Sequence, residues 1–381
     1  MSIKSNAKPK SINRTALVLQ GGGALGAYQA GVYQALHEND LVPNWVVGTS
    51  IGAINAALIA GNPPETRIQR LKEFWDRISH RDIVDMERVP DEARHYNTWL
   101  ATLDATVRGV PGFYLPRVFS LFPFDLNVLP ESASFYDTTP LAKTLSELID
   151  LDYLNADGGI RLTVNAVKVT TGQLVSFDSE KQQLGIEHVM ASGALPPGFP
   201  AIRIGGDLYW DGGLYSNTPL ETVLNDSPQI DTLCFMVDLW NATGPEPVSL
   251  DHVQTRQKDV MFASRSQRHI EAYLRMHEMQ HTIRDLYERL PDDKKTHVDK
   301  KLMAALGCET TIHIVRLPYG GQDWNMPSKD INFSKGSIEW RWEQGYDDAI
   351  RAIHHAGWLN RVERHKGVIV HELPKTVHAE K

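Results

Sequence analysis

Short apolar runs alternate with glycine-rich turns and helical segments near the start of the chain. Residues 16–19 form one apolar run, which leads through the glycine-rich segment 20–26 into a helix with a broad apolar face. A second run at 45–47 ends at Gly48 and precedes the apolar segment 53–60. Two strand–turn–helix units about thirty residues apart predict neighbouring parallel strands of an α/β fold, with their following loops at one sheet edge.

The middle of the chain carries both helical and strand periodicity. Residues 65–78 predict an amphipathic helix, and a further helix is predicted to start near Thr139. Alternation of apolar and polar positions predicts short strands at 161–169, 174–177, 202–204 and 208–210. Residues 191–200, with the sequence ASGALPPGFP, contain too many glycines and prolines for a regular element, so they predict a shaped loop.

The chain divides into three predicted parts. We expect a flexible N-terminus at 1–14, a catalytic domain at 15–222 and a C-terminal extension at 223–381 that completes the core or packs on it. The extension is mainly helical, with strands predicted near 231–239 and 312–315 and a strongly helical stretch at 260–290. Regular periodicity fades at 80–140, which is rich in aromatic residues and prolines. This segment is either an irregular part of the core, a lid or insert at a site mouth, or a patch that contacts lipid.

Composition narrows the class of protein. A hydrophobic content of 42% and a charged content of 23% are typical of a globular chain, and a net charge of −8 argues against a nucleic-acid partner. Only Cys234 and Cys308 are present, too few for a disulfide framework, which fits a reducing compartment. The longest uncharged stretch, 41–64, reads as strand, turn and helix rather than as a membrane span. We therefore expect a cytoplasmic protein, and its oligomeric state stays open.

Ser50 is the candidate nucleophile. It lies in the sequence GTSIG at 48–52, between the second predicted strand and its helix. A sharp turn at this junction holds a hydroxyl exposed above a sheet, and the flanking glycines are needed where no Cβ fits. The positive end of the following helix would lie beneath the nucleophile. The alternative is a glycine-rich turn without any chemistry.

The first glycine-rich turn offers backbone donors. Successive N–H groups at Gly21, Gly22 and Gly23 form an anion-binding concavity, and a loop facing Ser50 would serve as an oxyanion hole. Gly21, Gly23 and Gly26 also match the dinucleotide-binding fingerprint. That fingerprint requires an acidic residue after the second strand, where this chain has Gly48, so the oxyanion hole is favoured.

Asp211 is the candidate general base. The chain has 15 histidines, but none lies in a loop that resembles the two glycine turns. Asp211 follows a predicted strand and precedes Gly212 and Gly213. A simple Asp-Gly turn is the alternative. A carboxylate is a weak base unless burial and hydrogen bonds adjust its pKa, so a Ser50–Asp211 pair would need a buried environment.

Four sequence blocks together resemble the patatin-like phospholipases. They are GGGALG at 21–26, GTSIG at 48–52, ASGALPPGFP at 191–200 and DGG at 211–213, and the tail resembles the C-terminal extension of some bacterial members. The resemblance implies a three-layer α/β fold with a central, mostly parallel sheet, and lipid acyl hydrolysis by a Ser-Asp dyad without a metal or cofactor. Carried over by position, it implies that Ser50 is the nucleophile and Asp211 the base. It also implies that Gly21, Gly22 and Gly23 supply the oxyanion donors, and that the Pro-rich block, with Pro196 and Phe199, forms the pocket.

One position departs from the family pattern. Many patatin-like proteins have a basic residue in the glycine loop, where this chain has Ala24 and Leu25. The backbone donors are unaffected by this change, but a contact from a basic side chain to a phospholipid headgroup is lost. The headgroup preference therefore stays open.

A second motif suggests different chemistry. The sequence HEMQH at 277–281 matches the zinc-peptidase pattern formally, with His269, His297 and His313 as possible third ligands. The two motif histidines share a helix face with Ile270, Tyr273 and Leu274, and a second apolar stripe comprises Met279, Ile283, Leu286 and Leu290. Both stripes are predicted to be packed, which favours partly buried core histidines over a zinc site.

The sequence as a whole predicts a serine lipid acyl hydrolase of the phospholipase A, lysophospholipase or esterase type. It would cleave carboxylic esters of acyl lipids through an acyl-enzyme, with peripheral contact to a membrane or lipid surface. An acyltransferase with the same dyad, a zinc peptidase and a non-catalytic scaffold stay open as alternatives. Acyl-chain length and sn-position are not indicated.

Overall fold

A computed structural model describes residues 12–80, 102–117, 127–228, 230–263, 265–296, 302–303, 310–321, 328–355, 357 and 367–373. The strands in these residues are β1 Arg14–Leu19, β2 Trp45–Gly48, β3 Leu115–Pro116, β4 Tyr136–Asp137, β5 Arg161–Lys168, β6 Leu174–Asp178, β7 Ile202–Ile204, β8 Asp207–Asp211, β9 Thr232–Asp238, β10 Ile312–Pro318 and β11 Val368–Glu372. The principal helices are α1 Ala27–Glu38, α2 Ile51–Ala60, α3 Arg67–Arg77, α4 Thr139–Leu148, α5 Leu151–Leu154, α6 Ile186–Ser192, α7 Leu220–Leu224, α8 Leu250–Phe262, α9 Ser266–Glu288 and α10 Lys335–His355.

A nine-stranded sheet forms the centre of the described part of the chain. Its strand order is β11-β10-β9-β1-β2-β5-β8-β7, with β6 paired to β5. The strands from β11 to β5 run parallel, whereas β6, β7 and β8 are antiparallel to their neighbours. Leu19 of β1 is in register with Gly48 of β2, so the two loops that follow leave the same sheet edge. The predicted parallel neighbours and the mostly parallel sheet are confirmed.

Side chains of β1 alternate between two buried cores. Leu17 and Leu19 join the core formed with α1, α2, α3 and α10, while Ala16 and Val18 join the opposite core, where α7 and α9 pack. A parallel sheet needs apolar cover on both faces, because its strands present apolar side chains in both directions. The result is the predicted three-layer arrangement.

The C-terminal half of the chain contributes to the same sheet. Strands β9, β10 and β11 extend it beyond β1. Helix α10 packs so closely on α1 that a Cβ on Gly31 or Gly345 would overlap the backbone of the opposing helix. The sheet therefore crosses the predicted boundary at residue 222, and that boundary stays a prediction. Within the predicted N-terminus, residues 1–11 lie outside the described residues, and β1 already begins at Arg14.

Two sequence predictions need correction. The loop predicted at 191–200 begins two residues later, because α6 continues to Ser192. The stretch predicted as helical at 260–290 is shared by two helices, since α8 ends at Phe262 and α9 starts at Ser266. Of the predicted lid or insert at 80–140, residues 81–101 and 118–126 lie outside the described residues.

Candidate active site

Ser50 occupies a strained turn between β2 and α2. Its backbone φ of 57° and ψ of −125° lie in a region that a residue with a side chain rarely adopts. A Cβ on Gly48 would overlap the carbonyl group of Gly52, and a Cβ on Gly52 would overlap that of Leu19. The sequence-based reason for the two flanking glycines is confirmed, and the turn holds Ser50 above the end of β2.

The backbone of this turn is anchored by Ser192, at the end of α6. The Ser50 N–H donates to both the carbonyl oxygen and Oγ of Ser192, at 3.1 Å each. Ser192 is fully buried. The Ser50 amide is therefore committed to holding the turn. The sequence analysis gave Ser192 no role, because nothing local relates it to a turn far upstream in the chain.

Asp211 lies beside Ser50, although the two residues are far apart in sequence. It ends β8 and pairs with Ala166 of β5, near the sheet edge from which the Ser50 turn leaves. Asp211 is 2% exposed, and its carboxylate accepts a 2.7 Å hydrogen bond from the Gly213 N–H. The Ser50 hydroxyl lies near enough to stabilise the charged form of this carboxylate. Burial raises the pKa of Asp211 to about 7, and the Gly213 N–H and the Ser50 hydroxyl oppose this rise. The structure thus brings the predicted nucleophile and base together.

The glycine loop after β1 borders Ser50. A Cβ on Gly21 would lie 3.1 Å from the Cβ of Ser50, which places the loop against the serine. The Gly21 N–H, however, donates to the Asn217 carbonyl oxygen at 3.1 Å, so the prediction that it is an oxyanion donor needs correction. Within the described residues, the N–H groups of Gly22 and Gly23 have no hydrogen-bond partner. Two of the three predicted donors are therefore available.

Gly23 is required by both backbone conformation and space. Its φ is +55°, and a Cβ there would overlap the carbonyl oxygen of Asp330. The same carbonyl oxygen accepts a 2.8 Å hydrogen bond from the Ala24 N–H. A distant segment of the chain thus supports the turn, and the local sequence offers no signal for it.

A cavity of about 290 Å³ opens beside Ser50 and Asp211. The Gly22 and Gly23 backbones border it, and so do the predicted pocket residues Pro196 and Phe199. Most of its wall is apolar. Aromatic side chains supply much of that wall: Phe113, Tyr114, Tyr136, Phe199, Trp240, Phe262 and Phe333. The first three come from the segment predicted as a lid, a core segment or a lipid-contacting patch, and they form a wall of the site.

The HEMQH motif on α9 lies in a different environment. His277 is 2% exposed and stacks on Tyr273, and burial lowers its pKa. His281 is partly exposed and lies 3.7 Å from the Asp285 carboxylate. Of the candidate third ligands, His269 pairs with Glu221, His313 pairs with His371, and His297 lies outside the described residues. The residues that the structure describes contain no group of three His, Cys, Asp or Glu side chains arranged for a metal.

The second apolar stripe of α9 was predicted to be packed, and this is wrong. Met279 is 66% exposed and Leu286 is 59% exposed, and Ile283 and Leu290 are also exposed. Within the described residues, the buried core on this side of the sheet includes Ile270 and Tyr273 from α9 and none of the second stripe.

Comparison with known sequences decides the family. A sequence model described as patatin-like phospholipase matches residues 17–224, more than half of the chain. The chain belongs to the patatin-like phospholipase family. A second model, described as patatin phospholipase, matches residues 260–365 and so covers much of the C-terminal region. The four sequence blocks that suggested the resemblance all lie within the first match.

Individual relatives are similar to this chain over short segments. The chain is 38% identical over 76 residues to a putative patatin-like phospholipase domain-containing protein of Caenorhabditis elegans, covering 20% of this chain and 7% of that protein. It is 45% identical over 60 residues to the triacylglycerol lipase ptl3 of Schizosaccharomyces pombe, covering 16% of this chain and 12% of that protein. The matched segments thus span about a tenth of these relatives' lengths.

Among solved structures, VipD from Legionella pneumophila is similar with a TM-score of 0.39 and 16% sequence identity, over 90% of this chain and 67% of that one.

Within the part of the chain that the structure describes, no helix is both long and apolar enough to cross a membrane.

Proposed function

We propose that the protein is a serine lipid acyl hydrolase, of the phospholipase A, lysophospholipase or esterase type, that uses Ser50 and Asp211. One observation carries the proposal: a serine on a strained turn and a buried carboxylate lie side by side at the same apolar cavity. Membership of the patatin-like family and the lipase named among the relatives support the same class of reaction.

Acylation of the enzyme begins with the proton of the Ser50 hydroxyl. Asp211 accepts this proton while Oγ attacks the ester carbonyl carbon, and the carbonyl oxygen becomes an oxyanion. The N–H groups of Gly22 and Gly23 donate to that oxygen, and one such donor contributes about 2.7–4 kcal/mol to the transition state. The tetrahedral species then collapses, Asp211 returns the proton to the leaving alcohol, and the acyl group stays on Ser50.

Hydrolysis of the acyl-enzyme repeats these steps with water. Asp211 accepts a proton from the water molecule, whose oxygen attacks the acyl carbonyl carbon, and collapse releases the fatty acid and restores the Ser50 hydroxyl. The pKa of about 7 for Asp211 matters here, because a base works best when its pKa lies near the operating pH. Burial of the carboxyl thus compensates for the absence of a histidine from the pair.

The acyl chain of the substrate fits the apolar part of the cavity. Phe113 packs against Phe199 and Phe333 at ring-centroid distances of 5.9 and 5.6 Å, and these rings form a continuous apolar wall. An acyl chain that packs against this wall is removed from water, and each buried CH₂ group contributes about 0.8 kcal/mol of favourable binding free energy. Leu214 and Tyr215, on the loop after Asp211, are 49% and 62% exposed, which supports contact between this side of the site and a lipid surface.

Labelling with a fluorophosphonate, together with a panel of lipid esters, tests the proposal. We expect the wild type to be labelled and to release fatty acid, and Ser50→Ala to do neither. Ser176→Ala, which changes an exposed serine on β6, serves as the matched control and should behave like the wild type. Labelling of Ser50→Ala at the wild-type rate would overturn the assignment.

Two further arms separate the alternatives that the sequence left open. Addition of a short-chain alcohol distinguishes hydrolysis from acyl transfer, since a transferase would form a new ester instead of free fatty acid. Addition of a chelator tests the HEMQH motif. We expect ester hydrolysis to be unchanged by the chelator, and a chelator-sensitive peptidase activity that survives Ser50→Ala would support the zinc peptidase instead.

A further inference from the structure

The carbonyl oxygen of Gly21 accepts two side-chain hydrogen bonds. Asn217 donates to it through Nδ2 at 3.1 Å, and Trp240 donates through Nε1 at 2.8 Å. This oxygen and the N–H of Gly22 belong to one planar peptide group, in which they point in opposite directions. Holding the Gly21 carbonyl therefore fixes the direction of the Gly22 N–H, which borders the cavity beside Ser50.

Asn217 and Trp240 are themselves held in place. The carbonyl oxygen of Phe262, at the end of α8, accepts hydrogen bonds from Asn217 Nδ2 at 2.8 Å and from Gln20 Nε2 at 3.1 Å. Gln20 Oε1 in turn accepts from the Trp240 N–H at 3.0 Å. Gln20 and Trp240 are both buried. The two donors thus form part of a closed network that connects the glycine loop to residues from the C-terminal half of the chain.

Main-chain bonds complete the restraint on the loop. The Gly21 N–H donates to the Asn217 carbonyl oxygen, so Gly21 and Asn217 exchange two hydrogen bonds. A Cβ on Gly21 would overlap Oδ1 of Asn217, which leaves glycine as the residue that fits. Asn217 also lies against Gly213, whose N–H binds Asp211. One side chain therefore contacts both the loop that offers oxyanion donors and the loop that carries the base.

We propose that Asn217 and Trp240 are positioning residues that aim the Gly22 N–H at the oxyanion. The inference rests on the proposed function. When Ser50 Oγ bonds to the ester carbonyl carbon and its proton passes to Asp211, the carbonyl π electrons move to oxygen, and the Gly22 N–H must already point there. A backbone displacement of about 1 Å reduces a rate roughly a hundredfold.

Two variants remove one donor each. Trp240→Phe deletes the Nε1–H and keeps an aromatic ring beside Phe262, and Asn217→Ala deletes the Nδ2 donor. Each has a matched control away from the site. Trp342→Phe deletes the 2.7 Å hydrogen bond from Nε1 to Gln34, and Asn155→Ala deletes bonds of 2.8 and 3.0 Å to two backbone carbonyl groups.

The readouts separate positioning from general damage. For a p-nitrophenyl ester we expect each site variant to lower kcat about tenfold to a hundredfold while KM stays within about threefold of the wild-type value. A trifluoromethyl ketone, which Ser50 converts to a tetrahedral adduct, should bind more weakly by the same factor as kcat/KM falls. A fatty alcohol, which occupies the acyl site without forming an oxyanion, should bind as it does to the wild type.

The controls should keep wild-type kcat, even where urea denaturation shows that they are less stable. If one site variant does not fold, the same measurements of kcat, KM and inhibitor binding on the other variant test the inference. An unchanged kcat in a folded site variant, or equal weakening of the ketone and the alcohol, overturns the inference and leaves the proposed function intact. A wild type that neither reacts with the ketone nor hydrolyses any ester overturns both.

Discussion

The Gly213 N–H donates a 2.7 Å hydrogen bond to Oδ1 of Asp211, which is buried beside Ser50. Burial raises the pKa of this carboxyl to about 7. Only the deprotonated carboxylate accepts a proton from Ser50, so we expect kcat/KM for an uncharged ester to rise with pH and to reach half its maximum near pH 7. A profile of kcat/KM that is flat between about pH 5 and pH 9 would contradict the role of Asp211 as the base.

The same pKa has a consequence for stability. A carboxyl whose pKa is higher in the folded state than in the unfolded state contributes stability that is complete below the unfolded value, near 3.8, and is lost as the pH rises through about 7. Asp211→Asn has no charge to bury, so we expect its free energy of unfolding to increase relative to wild type as the pH rises from about 4 to about 8, by roughly 1.4 kcal/mol per unit of pKa change.

Urea denaturation across this pH range measures the difference. Asp157→Asn changes an exposed carboxyl and provides the control, for which a much smaller pH-dependent difference is expected. If the free energy of unfolding of Asp211→Asn instead decreased relative to that of the wild type as the pH rose, the sign of the prediction would be wrong.

Replacement of Ser50, the proposed nucleophile, should separate the effect of backbone strain from the loss of the hydroxyl. Ser50 has a φ of 57°, which glycine adopts without cost and alanine does not. We expect Ser50→Gly and Ser50→Ala to be equally inactive, and Ser50→Gly to be more stable by about 1–3 kcal/mol. Urea midpoints measure this order. Equal midpoints would show that the Ser50 turn stores no conformational strain.

Substitution of Gly23 should lower activity, because an added Cβ would clash with the Asp330 carbonyl oxygen. Gly23 and Gly172 have similar positive φ values, +55° and +67°, so alanine at either position carries a similar backbone cost. Only Gly23 also meets an obstacle, the Asp330 carbonyl oxygen, whereas a Cβ on Gly172 meets nothing within 4 Å. We expect Gly23→Ala to lower kcat/KM about a hundredfold through displacement of the loop. Gly172→Ala should lose stability but keep its activity in the same assay.

The aromatic wall should set the preferred acyl length. Phe199 packs against the rings of Phe113 and Tyr114 at 5.9 and 5.2 Å. Phe199→Ala opens space in the cavity, so we expect its best substrate in a p-nitrophenyl ester series to have a longer acyl chain than the best substrate of the wild type. Phe177→Ala removes a ring that packs against His188 and Tyr209, and it controls for general loss of packing. An unchanged chain-length profile for Phe199→Ala would place the acyl chain elsewhere.

The sequence predicts the parts of the site that depend on local geometry. The turn at Ser50 follows from a strand, two glycines and a helix in succession, and Asp211 follows from a strand end before two glycines. Contacts between distant segments leave no such pattern. Ser192 anchors Ser50 from 142 positions away, and Trp240 binds Gly21 across 219 positions. The incorrect prediction that the Gly21 N–H is an oxyanion donor has the same cause, because its partner, the Asn217 carbonyl oxygen, lies 196 positions away in the sequence.

The contacts between the glycine loop and residues far along the chain bear on the order in which the site can form during synthesis. Gly21 is synthesised early, whereas Trp240, Phe262 and Asp330, which support the glycine loop, leave the ribosome much later. A growing polypeptide can thus display its serine long before the surroundings of that serine are complete. If the proposed ester hydrolysis needs these contacts, chains that end before residue 330 should not carry it out.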